Sequence, residues 1–167
     1  MQEIEFKFQV PVKKRKALQK AFTLLKAEPI HLAAQYFDTA DQTLAKHCIA
    51  IRRRQENDEW KQTFKAVNSA KVLSRLELEF DIAPPETTTL DLDNYKAYPA
   101  AYKKLKRALG LPQTTLELLF ETNIQRLRVL QDVGNSTVEI ALDIGKIFEA
   151  QNSVDIFEIE FELKQGS

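Results

Sequence analysis

The stretch Phe157-Glu158-Ile159-Glu160-Phe161-Glu162-Leu163-Lys164 alternates apolar and charged residues without a break. That alternation has the period of a β-strand, whose successive side chains point to opposite faces. Glu158, Glu160, Glu162 and Lys164 therefore share one face, and the apolar residues share the other. Carboxylates lined up on one face repel one another unless a cation joins them.

The same pattern recurs on either side of this stretch. It is present in Glu3-Ile4-Glu5-Phe6-Lys7-Phe8, Ala50-Ile51-Arg52-Arg53-Arg54, Trp60-Lys61-Gln62-Thr63-Phe64-Lys65, Arg75-Leu76-Glu77-Leu78-Glu79-Phe80 and Val138-Glu139-Ile140-Ala141-Leu142-Asp143. Segments around Gln35-Tyr36-Phe37-Asp38 and from Leu119 to Leu130 also read as strands. About eight strands result, enough to close a sheet around a cavity. Two segments have helical spacing instead: Leu18, Ala21, Phe22 and Leu25 between Pro11 and Pro29, and Tyr95, Tyr98, Tyr102, Leu105 and Leu109 ahead of Gly110 and Pro112. Pro84 to Thr89 reads as a loop. The expected fold is α+β: an eight-stranded antiparallel closed β-barrel, or tunnel, with a few flanking helices, formed by residues 1–167 as a single domain.

Composition narrows the function. The chain of 167 residues has 24 basic and 24 acidic side chains, and this balance argues against a nucleic-acid or membrane-surface binder. There is no long apolar run and no secretory leader, and the lone Cys48 cannot pair within the chain. A cytoplasmic location is expected. Only 4 glycines are present, without a phosphate-binding Gly-rich loop. His31 and His47 have no partners at metal-ligand or triad spacing, and they read as surface or packing residues. Trp60, the Tyr95/Tyr98/Tyr102 stripe and Cys48 read as packing, and Lys13-Lys14-Arg15-Lys16 as a solvated run.

A charged strand face is usually the wet face of an antiparallel sheet. Here it is almost purely charged, and its charges are segregated by strand. Acids gather on the Glu3, Glu77, Glu139 and Glu160 strands, and bases on the Arg52 and Lys65 strands and at Arg126. Arg and Lys match polyphosphate oxygens. Carboxylates beside a polyphosphate make sense as ligands of a hard divalent cation. The combination points to a metal–polyphosphate site.

Taken in order, these residues resemble the CYTH domains, the triphosphate tunnel metalloenzymes. The resemblance begins at the signature Glu3-x-Glu5-x-Lys7. It runs through Tyr36-Phe37-Asp38-Thr39, Cys48-x-Ala50-Ile51-Arg52-x-Arg54, Thr63-Phe64-Lys65, Arg75-x-Glu77-x-Glu79 and Glu139-x-x-x-Asp143-x-Gly145, and ends at Glu158-x-Glu160-x-Glu162-x-Lys164. It implies hydrolysis of a small-molecule triphosphate with Mg²⁺ or Mn²⁺. By position, Glu3, Glu5, Glu160 and Glu162 would bind metal. Lys7, Arg52, Arg54, Lys65, Arg75 and Arg126 would bind phosphate, and Glu139, Glu158 and Lys7 would serve catalysis. Glu77 and Glu79 would either join the metal or hold the basic residues. Two departures stand out: Cys48 occupies a position that is often Gly, and the strand through Arg126 lacks a Lys-x-Arg pair. The stretch Phe120 to Arg126 is closest to bacterial inorganic triphosphatases, which often carry a helical CHAD-type domain absent from this chain. The expected reaction is cleavage of tripolyphosphate to diphosphate and phosphate. The alternatives are thiamine triphosphatase or class IV adenylate cyclase activity, or a non-catalytic polyphosphate-binding module.

Overall fold

The structure, a computed structural model, describes residues 4–68, 71–85, 90, 92–110 and 116–166, with the side chains of 68 and 71–75 outside the description. In chain order its elements are β1 (Glu5–Gln9), α1 (Val12–Leu24), β2 (Glu28–Asp38), α2 (Thr43–Lys46), β3 (Ile49–Glu56), β4 (Glu59–Asn68) and β5 (Lys71–Ile82). A 3₁₀ turn (Asp93–Ala97) follows, then α3 (Pro99–Leu109), β6 (Glu117–Val133), β7 (Ser136–Glu149) and β8 (Asn152–Gln165).

Hydrogen bonds order the strands β1-β8-β7-β6-β2-β3-β4-β5. The β1–β8, β7–β8, β3–β4 and β4–β5 ladders are antiparallel. Among the described residues this order has two ends, so the closed barrel expected from the sequence is not confirmed. Closure requires the terminal strands to pair along a staggered edge. Strand β1 offers five residues, all in register with β8, and no β1–β5 ladder is formed among the described residues. The chain packs as two compact units, residues 34–121 and residues 4–33 with 122–166.

In residues 34–121, alternation delivers Ile49, Ile51, Phe64 and Ala66 to one apolar face, where Tyr95, Ala101 and Leu105 cover them. The helical stripe from Tyr95 to Leu109 is interrupted. Tyr98 leaves helical geometry at φ −124° and ψ 83°, and α3 starts at Pro99. Proline excludes the preceding residue from the helical region and is itself suited to a first helical position.

The one-turn helix α2 has no apolar period and was missed by sequence reading; Asp38 holds its start. Asp38 Oδ1 accepts from the backbone N–H of Thr39 and Leu44 (both 2.7 Å), and Oδ2 accepts from that of Ala45 (2.9 Å). Asp38 is buried, so Asp38→Ala orphans three donors, two of them on the buried residues Thr39 and Leu44. A loss of about 2 kcal/mol is expected, read as a lower urea midpoint at unchanged slope. Cys48, just after this turn, has a left-handed backbone (φ 55°) that favours glycine.

In residues 4–33 with 122–166, Val10, Phe22, Leu142 and Phe157 form the buried core, with Leu18, Leu127, Val129, Ile140, Ile144 and Ile159 against it. Helix α1 begins after Pro11 as expected and buries Phe22. The apolar face of β1 is exposed. Phe6 is 62% exposed and Phe8 54%, because the core that α1 covers is built from the faces of β6, β7 and β8.

Candidate active site

Register turns the alternation into rows. Glu162 on β8 lies opposite Glu5 on β1 and Glu139 on β7, so three carboxylate residues stand side by side. In the next row Glu160 lies between Lys7 and Ala141, and in the third Glu158 lies between Gln9 and Asp143.

The side chains at the centre of these rows are tightly paired. Arg126 donates from Nε and Nη2 to the two oxygens of Asp143, both at 2.7 Å. Its Nη2 also donates to Glu160 Oε2 at 2.5 Å. Ala141, the β7 residue opposite Glu160, has no side chain beyond Cβ and leaves this path clear. Lys7 Nζ forms ion pairs with Glu160 Oε1 and, at 3.6 Å, with Glu158 Oε2. Gln9 Nε2 donates to the other Glu158 oxygen (3.3 Å).

These contacts set the charge states. Burial opposes the Arg126 charge, but Asp143, Glu160 and Glu139 outweigh it and raise its pKa further. Burial likewise opposes the Glu160 carboxylate, yet Arg126 and then Lys7 hold its pKa below the ordinary value. Burial weighs against the Lys7 ammonium, and Glu160, Glu158 and Glu5 overcome it, so its pKa is raised. All three groups are charged at neutral pH. Around them, Glu162 pairs with Lys164 (3.0 Å), and buried Glu139 lies 3.9 Å from Arg128, which also pairs with Glu28 (2.6 Å).

The other unit carries a mostly basic face. Arg52 Nε donates to Thr63 Oγ1 and Nη1 to Tyr36 Oη, both at 3.4 Å. Arg54 Nη2 reaches Glu56 (3.3 Å) and Glu79 (3.4 Å). Lys61 lies 3.9 Å from Glu79, and Lys65 lies 3.0 Å from Glu77. Glu77 and Glu79 thus pair with basic residues of this face. Tyr36 stacks on Phe120 at 4.4 Å beside Arg52, an aromatic pair that sequence reading had left without a role. Arg53 belongs to the opposite face: it donates to Gln35 Oε1 (2.8 Å) and lies over the Phe37 ring.

Of the residues singled out from sequence, Lys7, Arg126, Glu158 and Glu160 are brought into one cluster, with Glu5, Glu139 and Glu162 in the adjoining row. Arg52, Arg54 and Lys65 share the second face. Glu3 and the Arg75 side chain lie outside the described residues. Asp143 had been assigned no role, although its spacing from Glu139 already placed both on one face. His31 bonds Asn123 (3.0 Å), and His47 bonds the Thr43 carbonyl (2.8 Å), consistent with local structural roles.

Hard carboxylate oxygens of Glu5, Glu158, Glu160 and Glu162 are the right donors for Mg²⁺ or Mn²⁺. Among the described residues no three acids, histidines or cysteines converge tightly enough to hold one ion, and the central ones face ammonium and guanidinium groups. The donor set fits in kind, and its convergence requires the side chains to rearrange.

A family model for the CYTH domain matches residues 1–167. The chain is 33% identical over 171 residues to an inorganic triphosphatase of Haemophilus influenzae, covering all of this chain and 46% of that protein. The chain thus spans about half the length of that curated relative. Among solved structures, an adenylate cyclase-like protein of Bacillus halodurans superposes with a TM-score of 0.67 at 20% identity, over 99% of this chain and 83% of that one. An adenylyl cyclase-like protein of Hippeastrum, described by a dominant triphosphatase activity, gives 0.58 at 17% identity over 98% and 79%. These two likenesses show the fold. No helix of the described residues is long and apolar enough to cross a membrane. From the family match over its whole length and the identity to a triphosphatase, this chain belongs to the CYTH domain family.

Proposed function

We propose that residues 1–167 act as one catalytic domain that cleaves inorganic triphosphate to diphosphate and phosphate, with Mg²⁺ or Mn²⁺, in a reducing cytoplasm. The observation that carries this reading is the row Glu5–Glu162–Glu139 beside Lys7, Glu160 and Arg126. It places several carboxylates together, an arrangement that a simple polyanion binder has no use for. The 33% identity to an inorganic triphosphatase supports the same substrate.

A divalent cation held by Glu5, Glu160 and Glu162, with Glu3, would neutralise phosphate charge and polarise the bond to be broken. Lys7, Arg52, Arg54, Lys65 and Arg75 bind phosphate oxygens in this proposal. Arg126, fastened to Asp143, reaches phosphate only through what remains of its guanidinium and mainly orients Glu160. Water attacks the terminal phosphorus, a new O–P bond forms and the bridging P–O bond breaks. Glu139, buried and acceptor-rich, takes the water proton, with Glu158 as the second candidate base.

The test is a substrate panel of tripolyphosphate, ATP and thiamine triphosphate with Mg²⁺ and Mn²⁺. We expect fastest phosphate release from tripolyphosphate, lowered on the order of 10²-fold in Glu5→Gln. Cyclic AMP as the main product from ATP, or tight polyphosphate binding without turnover, would replace this reading with one of its alternatives.

A further inference from the structure

We infer that Lys7 is the resting counter-ion of the carboxylates that a divalent cation would use, so that metal and phosphate binding are linked through the departure of its ammonium. The inference rests on the triphosphatase reading above and adds to it an order of events at the same site.

Each oxygen of Glu160 has its own cation, Lys7 at Oε1 and Arg126 at Oε2. The two cations are not equivalent. Arg126 is fixed by two bonds to Asp143 and has a side chain only 16% exposed. Lys7 is 48% exposed, on a flexible stem, and its ion pairs among the described residues are with the carboxylates of Glu158 and Glu160. Lys7 is therefore the group that can leave. While it stays, Glu160 Oε1 and Glu158 Oε2 face an ammonium, and a dication approaching them meets a like charge within a few ångströms. A phosphate oxygen offers Lys7 an alternative partner. Drawing Lys7 away frees both carboxylates, and by linkage whatever occupies the carboxylates raises the affinity of Lys7 for phosphate.

Calorimetric titration of Mn²⁺ into phosphate-free protein tests this. Lys7→Met is expected to bind Mn²⁺ about tenfold more tightly than the wild type. Lys146→Met makes the same charge change at the ion pair with Asp155, and is expected to stay within about twofold of wild type. Independently, acetylation of Lys7 in the wild-type protein, followed by mass spectrometry, should speed up on adding Mn²⁺ as the amine is released. Equal affinities for Lys7→Met and wild type, an equal gain in Lys146→Met, or unchanged Lys7 acetylation would overturn the inference while leaving the hydrolase reading intact. Absence of Mn²⁺ binding in all three proteins, together with absence of metal-stimulated phosphate release, would overturn the hydrolase reading and this inference with it.

Discussion

Glu160→Gln is expected to give a folded protein that releases phosphate from tripolyphosphate on the order of 10²–10³-fold more slowly than wild type. The size follows from the position of Glu160. Among the described residues it is the one carboxylate with an ion pair to both Lys7 and Arg126, and its row neighbours are Lys7 and the small Ala141. Glutamine keeps the shape and one acceptor oxygen, but loses the charge that a divalent cation needs and that balances the two bases.

The same variant has a pH signature. The folded-state pKa of Glu160 is depressed below its ordinary value of 4.5. A depressed carboxylate contributes stability that is fully present above the ordinary pKa and is lost as pH falls through the folded pKa. Wild-type stability should therefore decline more steeply than that of Glu160→Gln on acidification below about 4.5. Urea unfolding of both proteins across that range reads the difference. Parallel pH profiles would show that Glu160 is not held ionised by Arg126 and Lys7.

Gly145→Ala is expected to be strongly destabilising for a single-methyl change, costing about 3 kcal/mol or more. A Cβ built on Gly145 would lie 2.1 Å from the carbonyl oxygen of Asn123 and 2.8 Å from the Cα of Ile124. Both are backbone atoms of β6, so no side chain can turn aside, and the strands must separate. Separation would move Arg126, two residues beyond Ile124, relative to Asp143, two residues before Gly145. The variant should lose thermal stability and metal-stimulated turnover together. Gly134→Ala is the control: its φ is positive (61°), unlike that of Gly145, and nothing lies within 4 Å of its Cβ. It should show only the milder cost of the backbone conformation, about 1–2 kcal/mol, without the effect on turnover.

The role of Gly145 illustrates how unevenly the sequence can be read. Which side chains share a face was legible from the chain alone. Glu158, Glu160 and Glu162 fall together, as do Arg52 and Arg54, because the period of a strand is a local property of the backbone. Helix α1 was legible for the same reason, from its stripe and the proline before it. The helix break at Pro99 could have been anticipated, since proline restricts the residue before it, but the stripe of tyrosines runs straight across it. The turn built on Asp38 gave no periodic signal, because a buried carboxylate accepting three backbone bonds is recognisable only when its donors are in place.

By itself, then, the sequence determined the eight strands, their two-faced character, and a chemistry of segregated acids and bases suited to cations and phosphate. The tertiary structure alone decided the order in which the described strands pair, that Arg126 is tied to Asp143 and Glu160, and that Lys7 sits between Glu158 and Glu160. The reason is that alternation assigns a residue to a face, whereas partnership across strands depends on register and on small residues such as Ala141 and Gly145. Those are settled only when distant segments of the chain pack together.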